Sequence, residues 1–154
     1  MSSKPNVLIV EARFYQDIAD ELAKGATAVL ERAKVSYDRH WVPGVFEVPA
    51  GCRFALRAME EGMVTPGYSG FIALGCVIRG ETDHYDHICR EASRALMDLA
   101  VNHSVPFGFG ILTCENYDQA WTRAAVDQKN KGADAAEACL RMMELRRALH
   151  LVPR

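Results

Sequence analysis

The run Phe71-Ile-Ala-Leu-Gly-Cys-Val-Ile-Arg-Gly-Glu-Thr-Asp-His-Tyr-Asp-His-Ile-Cys-Arg-Glu91 reads as a buried strand passing through a polar turn into a helix. Phe71 to Ile78 is continuously apolar, as a strand covered on both faces must be. Gly80 lets the backbone bend. Glu81, Thr82 and Asp83 fall where the first amide N–H groups of a helix lack partners. Those groups and the helix dipole favour an anion. His84 follows, one or two residues inside the helix, an imidazole beside the anion seat. From there Ile88, Ala92, Ala95 and Leu99 carry a helical period to about His103.

The same strand-to-helix alternation extends outward in both directions. Residues 6 to 10 are an apolar strand. Glu11 to Tyr15 form a turn holding a large aromatic, Phe14. A helix from Gln16 places Ile18, Leu22, Ala26, Val29 and Ala33 inward. A second strand over 36–42 stops at Pro43 and Gly44. Pro49 suits the first turn of a helix whose apolar face is Val48, Cys52, Ala55 and Met59. Glu61 to Gly70 is a loop. Val105 to Leu112 is the fourth strand, and Thr113 to Asn116 a second strand-to-helix turn, with Asn116 and Gln119 spaced as a capping box. A short helix carries Trp121 and Arg123. A last helix from about Ala133 to Leu149 turns Ala135, Ala138, Met142, Leu145 and Leu149 inward. The order β-α-β-α-β-α-β-α-α implies a three-layer α/β/α sandwich around a four-stranded parallel sheet.

Composition narrows the function. The 154 residues make one domain, taken as 1–150. Leu151 to Arg154 match the left half of a thrombin cleavage site and read as its remnant. A net charge of −2 gives no bulk attraction to nucleic acid or anionic membrane. No apolar run approaches the roughly 20 residues that cross a bilayer, and a cytoplasmic location is expected. The five cysteines (Cys52, Cys76, Cys89, Cys114 and Cys139) form no C-x-x-C pair and read as core residues of a reducing compartment.

Ligands of parallel α/β sheets bind at the carboxyl ends of the strands. Those ends are followed by Phe14, by Val45 to Glu47, by Cys76 to His84, and by Phe109 to Asn116. Phe14 can stack on a flat heterocycle or pack over the sheet edge. Glu47 can accept from ligand hydroxyls or cap a helix. His84 suits a neutral base or proton shuttle. His84 and His87 have H-x-x-H spacing without a third ligand, so no metal site is expected. Arg123 is either a phosphate fork or a surface residue. Neither a phosphate-binding G-x-x-x-x-G-K-[ST] loop nor a G-x-S-x-G elbow is present.

At these residues the sequence resembles a family. Gly75-Cys-Val-Ile-Arg-Gly-Glu-Thr-Asp-His-Tyr-Asp86 is similar to the G-x-V-I-R-G-x-T-x-H-[FY]-[DE] signature of the lumazine synthases. Ala12-Arg-Phe14, Val42-Pro-Gly-Val-Phe-Glu-Val-Pro49, Phe109 to Arg123 and Asn130-Lys-Gly132 agree in order and spacing, over about residues 7 to 148. The resemblance implies a flavodoxin-like fold and a transferase reaction of riboflavin biosynthesis. In it, 5-amino-6-(D-ribitylamino)uracil condenses with 3,4-dihydroxy-2-butanone 4-phosphate to give 6,7-dimethyl-8-ribityllumazine, phosphate and water, with no cofactor. It implies His84 as proton carrier and Glu81, Thr82 and Arg123 on the phosphate. Phe14 would stack on the pyrimidine, with Val45, Phe46 and Glu47 on the uracil and ribityl chain and Cys76, Val77 and Ile78 along the pyrimidine edge. Phe109 and Lys131 would reach in from the neighbouring subunit of a ring of five.

Some residues depart from the pattern. Tyr15 replaces a frequent Asn, and Cys76 and Cys114 replace commoner threonines. Residues 124–129 lack a Gly-rich stretch that lies near contacts between pentamers in sixty-subunit shells, which favours a free pentamer. Two other readings are an archaeal-type riboflavin synthase, which should lack the intact R-G-x-T-x-H run, and a non-catalytic flavin or lumazine carrier.

Overall fold

The structure, a computed structural model, describes residues 4–151. The expected thrombin-site remnant therefore lies outside them except for Leu151. In chain order the elements are β1 (Asn6–Ala12), α1 (Gln16–Arg32), β2 (Ser36–Val42), a one-turn 3-10 helix (Val45–Glu47), α2 (Val48–Glu60), β3 (Gly70–Ile78), α3 (His84–His103), β4 (Phe107–Cys114), α4 (Tyr117–Ala124) and α5 (Lys131–Ala148). The strands form one parallel sheet in the order β2-β1-β3-β4. Apart from the short turn at Val45, this is the expected flavodoxin-like architecture.

Strand alternation sends side chains into two cores. Val7, Ile9, Ile72, Leu74 and Leu112 pack beneath α1, α4 and α5. Leu8, Val10, Phe71, Ala73 and Ile111 pack beneath α2 and α3. Each fully buried aliphatic chain contributes about 1.5–3 kcal/mol of apolar burial. The Phe71 and Phe107 rings stack across β3 and β4 at 6.2 Å. Asn116 caps α4: its Oδ1 accepts the Gln119 amide at 2.9 Å, while the Gln119 side chain reaches one residue past the cap and accepts the Glu115 amide at 2.8 Å.

Five expectations are corrected. Glu11 belongs to β1 rather than to the following turn, and it is buried. The fourth strand starts two residues later than expected and ends at Cys114, so Thr113 and Cys114 are strand rather than turn. Ser104 is left-handed, and the Val105 amide closes onto Ala100 O, which keeps Val105 in the helix-to-strand turn. The last helix starts at Lys131, where Asn130 adopts φ 49°, a conformation Asn tolerates. Its inward stripe is Gly132, Ala135, Ala136, Cys139 and Met143. Of the expected inward set only Ala135 is buried; Ala138, Met142, Leu145 and Leu149 face out. Ala33 of the first helical set is also exposed, because α1 ends at Arg32.

The α5 result has a steric cause. A Cβ on Gly108 would lie 2.0 Å from Ala135 O, and one on Gly132 would lie 2.1 Å from Leu22 O. The helix rests backbone to backbone on β4 and α1, and only small side chains fit between them. Met143 reaches the core beside Gly70, while the larger residues Met142, Leu145 and Leu149 are turned outward. With Met97, Val101 and Phe109 they make an exposed apolar face along α3, the β4 edge and α5.

Gly108→Ala should lower the urea midpoint by the equivalent of about 1–3 kcal/mol with an unchanged m value. An unchanged midpoint would mean that α5 does not lie against this glycine. Burial pushes the Cys52, Cys76 and Cys139 thiols up to about 12 and raises Cys89 and Cys114 as well. Only Cys89 is not buried. Iodoacetamide at pH 8 should therefore modify Cys89 ahead of the other four, as read by peptide mass spectrometry. Equal labelling of Cys52 or Cys139 in the folded protein would contradict this packing.

Candidate functional site

The β1–β3 pairing ends at Glu11 and Leu74. Beyond it β3 continues through Ile78 with β4 as its partner. Consecutive strands are laid down on one side of β1 and then on the other, so β1 and β3 flank the topological switch point. That is where an open α/β sheet leaves a crevice. The 3-10 helix fills part of it. Gly75 makes this possible, since a Cβ there would meet Val45 Cγ2 at 2.8 Å and Ala12 Cβ at 3.1 Å. Val45 is thus buried against β1 and β3, and Phe46 and Glu47 are left exposed at the mouth.

Most of the residues singled out in the sequence follow the strand ends that bound this crevice. Phe14 is 73 % exposed, and its ring touches Tyr15 edge-on at 5.0 Å. It does not pack over the sheet edge. Glu47 is the residue preceding α2 but makes no capping hydrogen bond. Its carboxylate instead leans over Gly44, where a Cβ would lie 3.3 Å from Oε1. Cys76 and Val77 point to opposite faces of the sheet, into separate cores. Segment 76–78 can therefore meet a ligand on the crevice side chiefly through its backbone and through one side-chain face at a time.

Glu81, Thr82 and His84 are exposed at the start of α3, and His84 is its first residue. Asp83 precedes the helix without capping it through its side chain. Thr82 Oγ1 accepts the His84 amide at 3.2 Å. His87 Nε2 pairs with Asp83 Oδ2 at 3.2 Å, one turn away from the exposed His84.

Arg123, Phe109 and Lys131 lie elsewhere. They line an open cleft of about 350 Å³ along the β4 edge, together with Thr113 and Asp134. Arg123 Nη1 donates to Gln119 O at 3.2 Å, and Lys131 Nζ pairs with Asp134 at 3.2 Å. Phe109 is 48 % exposed. Within one chain, then, the expected residues form two groups, one at the β1/β3 crevice and one at the β4 edge.

Two ionic arrangements at the carboxyl end of the sheet went unread in the sequence. Arg79 pairs with Glu115 at 2.9 Å and Asp86 at 3.5 Å, and its guanidinium lies 4.3 Å from the Tyr85 ring centroid. It ties the end of β3 to the start of α3 and the end of β4. Glu11, 2 % exposed, accepts from Arg13 Nη1 at 2.7 Å and from Arg39 Nε and Nη2 at 2.5 and 3.0 Å. Stripping a buried charge of its partners costs about 3–5 kcal/mol, so this cluster is a structural commitment. The signal for it was a carboxylate inside an apolar strand with arginines two residues ahead of it and on β2.

Comparison with known proteins identifies relatives of the whole chain. The family model described as 6,7-dimethyl-8-ribityllumazine synthase matches residues 4–147. The chain is 53 % identical to the 6,7-dimethyl-8-ribityllumazine synthase of Agrobacterium fabrum (strain C58), over 96 % of this chain and 98 % of that protein. It is 52 % identical to the synthase of Bartonella tribocorum, over 96 % and 93 %. With that of Paramagnetospirillum magneticum it shares 48 % identity over 94 % and 97 %. With the family model matching nearly the whole chain and relatives about half identical over its length, the chain belongs to the 6,7-dimethyl-8-ribityllumazine synthase family.

Proposed function

We propose that the protein condenses 5-amino-6-(D-ribitylamino)uracil with 3,4-dihydroxy-2-butanone 4-phosphate to form 6,7-dimethyl-8-ribityllumazine, releasing phosphate and two waters. What supports this reading is that Phe14, the Val45–Glu47 turn and His84 follow the carboxyl ends of β1, β2 and β3, around the switch point between β1 and β3. The reaction takes place in the cytoplasm. Among the described residues, no helix is long and apolar enough to cross a membrane.

The chemistry maps onto the chain as follows. Phe14 holds the pyrimidine by stacking, with Cys76 to Ile78 along its edge. Glu47, free of any capping role, accepts from the ribityl hydroxyls, and Val45 and Phe46 complete that wall. The α3 start with Glu81 and Thr82 receives the phosphate, assisted by the Arg123 fork. The substrate amine attacks the ketone, and the carbinolamine loses water. Phosphate then leaves as a proton is taken from the neighbouring carbon, and ring closure loses the second water. His84 moves protons through these steps near neutral pH.

The division of residues between crevice and β4 edge supports a site completed by two protomers. Phe109, Arg123 and Lys131 line one cleft and so act as a set. They reach the crevice of the adjacent protomer in a ring, which we take to be a free pentamer. The exposed apolar face beside them supplies the contact surface.

The purified protein should form lumazine, followed by absorbance, well above the spontaneous rate. His84→Ala should slow turnover roughly tenfold to a thousandfold with the fold intact, and unchanged turnover would remove His84 from the mechanism. A mixing experiment tests the shared site. His84→Ala and Arg123→Ala chains, each weak alone below saturation with the phosphate substrate, should recover about one quarter of wild-type activity when co-assembled at random. No recovery in verified mixed oligomers would mean that both residues act within one protomer.

A further inference from the structure

We infer that Arg13, held by Glu11, is a positioning residue that sets the attitude of the Phe14 ring; this rests on the reading of Phe14 as the pyrimidine platform. Phe14 has almost nothing of its own to hold it. Its ring is 73 % exposed, and its one aromatic contact among the described residues is Tyr15, edge-on. Where the ring points is therefore decided by the backbone of the turn between β1 and α1.

That turn is clamped from both sides by one guanidinium. Arg13 Nη1 donates to the buried Glu11 carboxylate at 2.7 Å, which anchors it to the sheet. Nη2 donates to Asp20 and, at 3.3 Å, to Gln16 Oε1, which anchors it to the first turns of α1. Gln16 Nε2 returns a bond to Arg13 O at 3.0 Å, closing the loop around Phe14. A fork with several fixed donors can bridge a strand and a helix in this way; a lysine has one point of attachment. Glu11 is the only buried charged residue among those described, and it lies three residues before the platform. Arg39 grips the same carboxylate from β2. Removing Arg13 thus leaves Glu11 paired and the sheet intact, which separates positioning from folding.

The test is steady-state kinetics with both substrates varied. Arg13→Ala should raise KM for the ribitylaminouracil by about threefold to tenfold, the size of one stacking contact, with kcat and KM for the butanone phosphate little changed. Arg13→Lys, which keeps a cation beside Glu11, should show the same split and serves if the alanine variant is poorly folded. In a Phe14→Ala background, Arg13→Ala should add nothing further to the pyrimidine KM. Arg39→Ala, which leaves the Arg13–Glu11 bond and the rest of the clamp in place, should leave that KM unchanged. If Phe14→Ala raises the pyrimidine KM and Arg13→Ala does not, the clamp is overturned and the platform stands. An additive effect of Arg13→Ala on Phe14→Ala, or an equal effect of Arg39→Ala, would also overturn it. If Phe14→Ala itself leaves the pyrimidine KM unchanged, the platform reading fails first, and the proposal with it.

Discussion

Pairing between β1 and β3 stops at Glu11 and Leu74 while β3 runs on to Ile78. The rest of the site depends on this mismatch. A strand that outlasts its neighbour leaves one edge without a partner, and the chain must cover or use it. Here Val45 covers the base of the gap and the exposed turn residues rim its mouth. The next element, α3, begins beside it with its unpaired amides. The crevice comes from strand lengths, and the side chains around it only give it chemistry.

A second constraint keeps that geometry fixed. The Gly108–Ala135 and Gly132–Leu22 approaches leave no room for a side chain between backbones. They lock α5 to β4 and α1, and so hold the β4-edge cleft at a set place relative to the sheet. Rigid elements hold a site more precisely than loops do. The exposed aromatic Phe14, on the short turn after β1, sits beside ion pairs of Arg13 with Glu11 and Asp20.

Much of this was legible in the residues. Continuous apolar runs such as Phe71 to Ile78 can only be doubly covered strands, and the strand-helix alternation leaves few topologies. Phe14, Glu47 and His84 were readable because polar or aromatic residues just past an apolar strand have no core to enter. The α5 face was not readable from periodicity. Alanines, methionines and leucines occupy both sides of that helix, and a steric rule, the need for small residues over Gly108, decided which side is inward. Glu11 was misread as turn because a carboxylate in a strand looks like its end. Its partners lie two residues away and on another strand, and only pairing register brings Arg39 to it. The grouping of Arg123 with Phe109 and Lys131 was likewise invisible, since the residues come from three elements whose proximity depends on how α5 docks.

The two-sided character of α5 links stability to concentration. One stripe is satisfied inside the protomer, while Met142, Leu145 and their neighbours on α3 remain wet. Whatever covers that second stripe binds the folded chain and not the unfolded one, so it adds its binding free energy to folding by mass action. In the ring proposed above, the covering ligand would be the protein itself. Under that proposal dilution would act as a mild denaturant, and a melting temperature measured at one protein concentration would describe the assembly together with the fold.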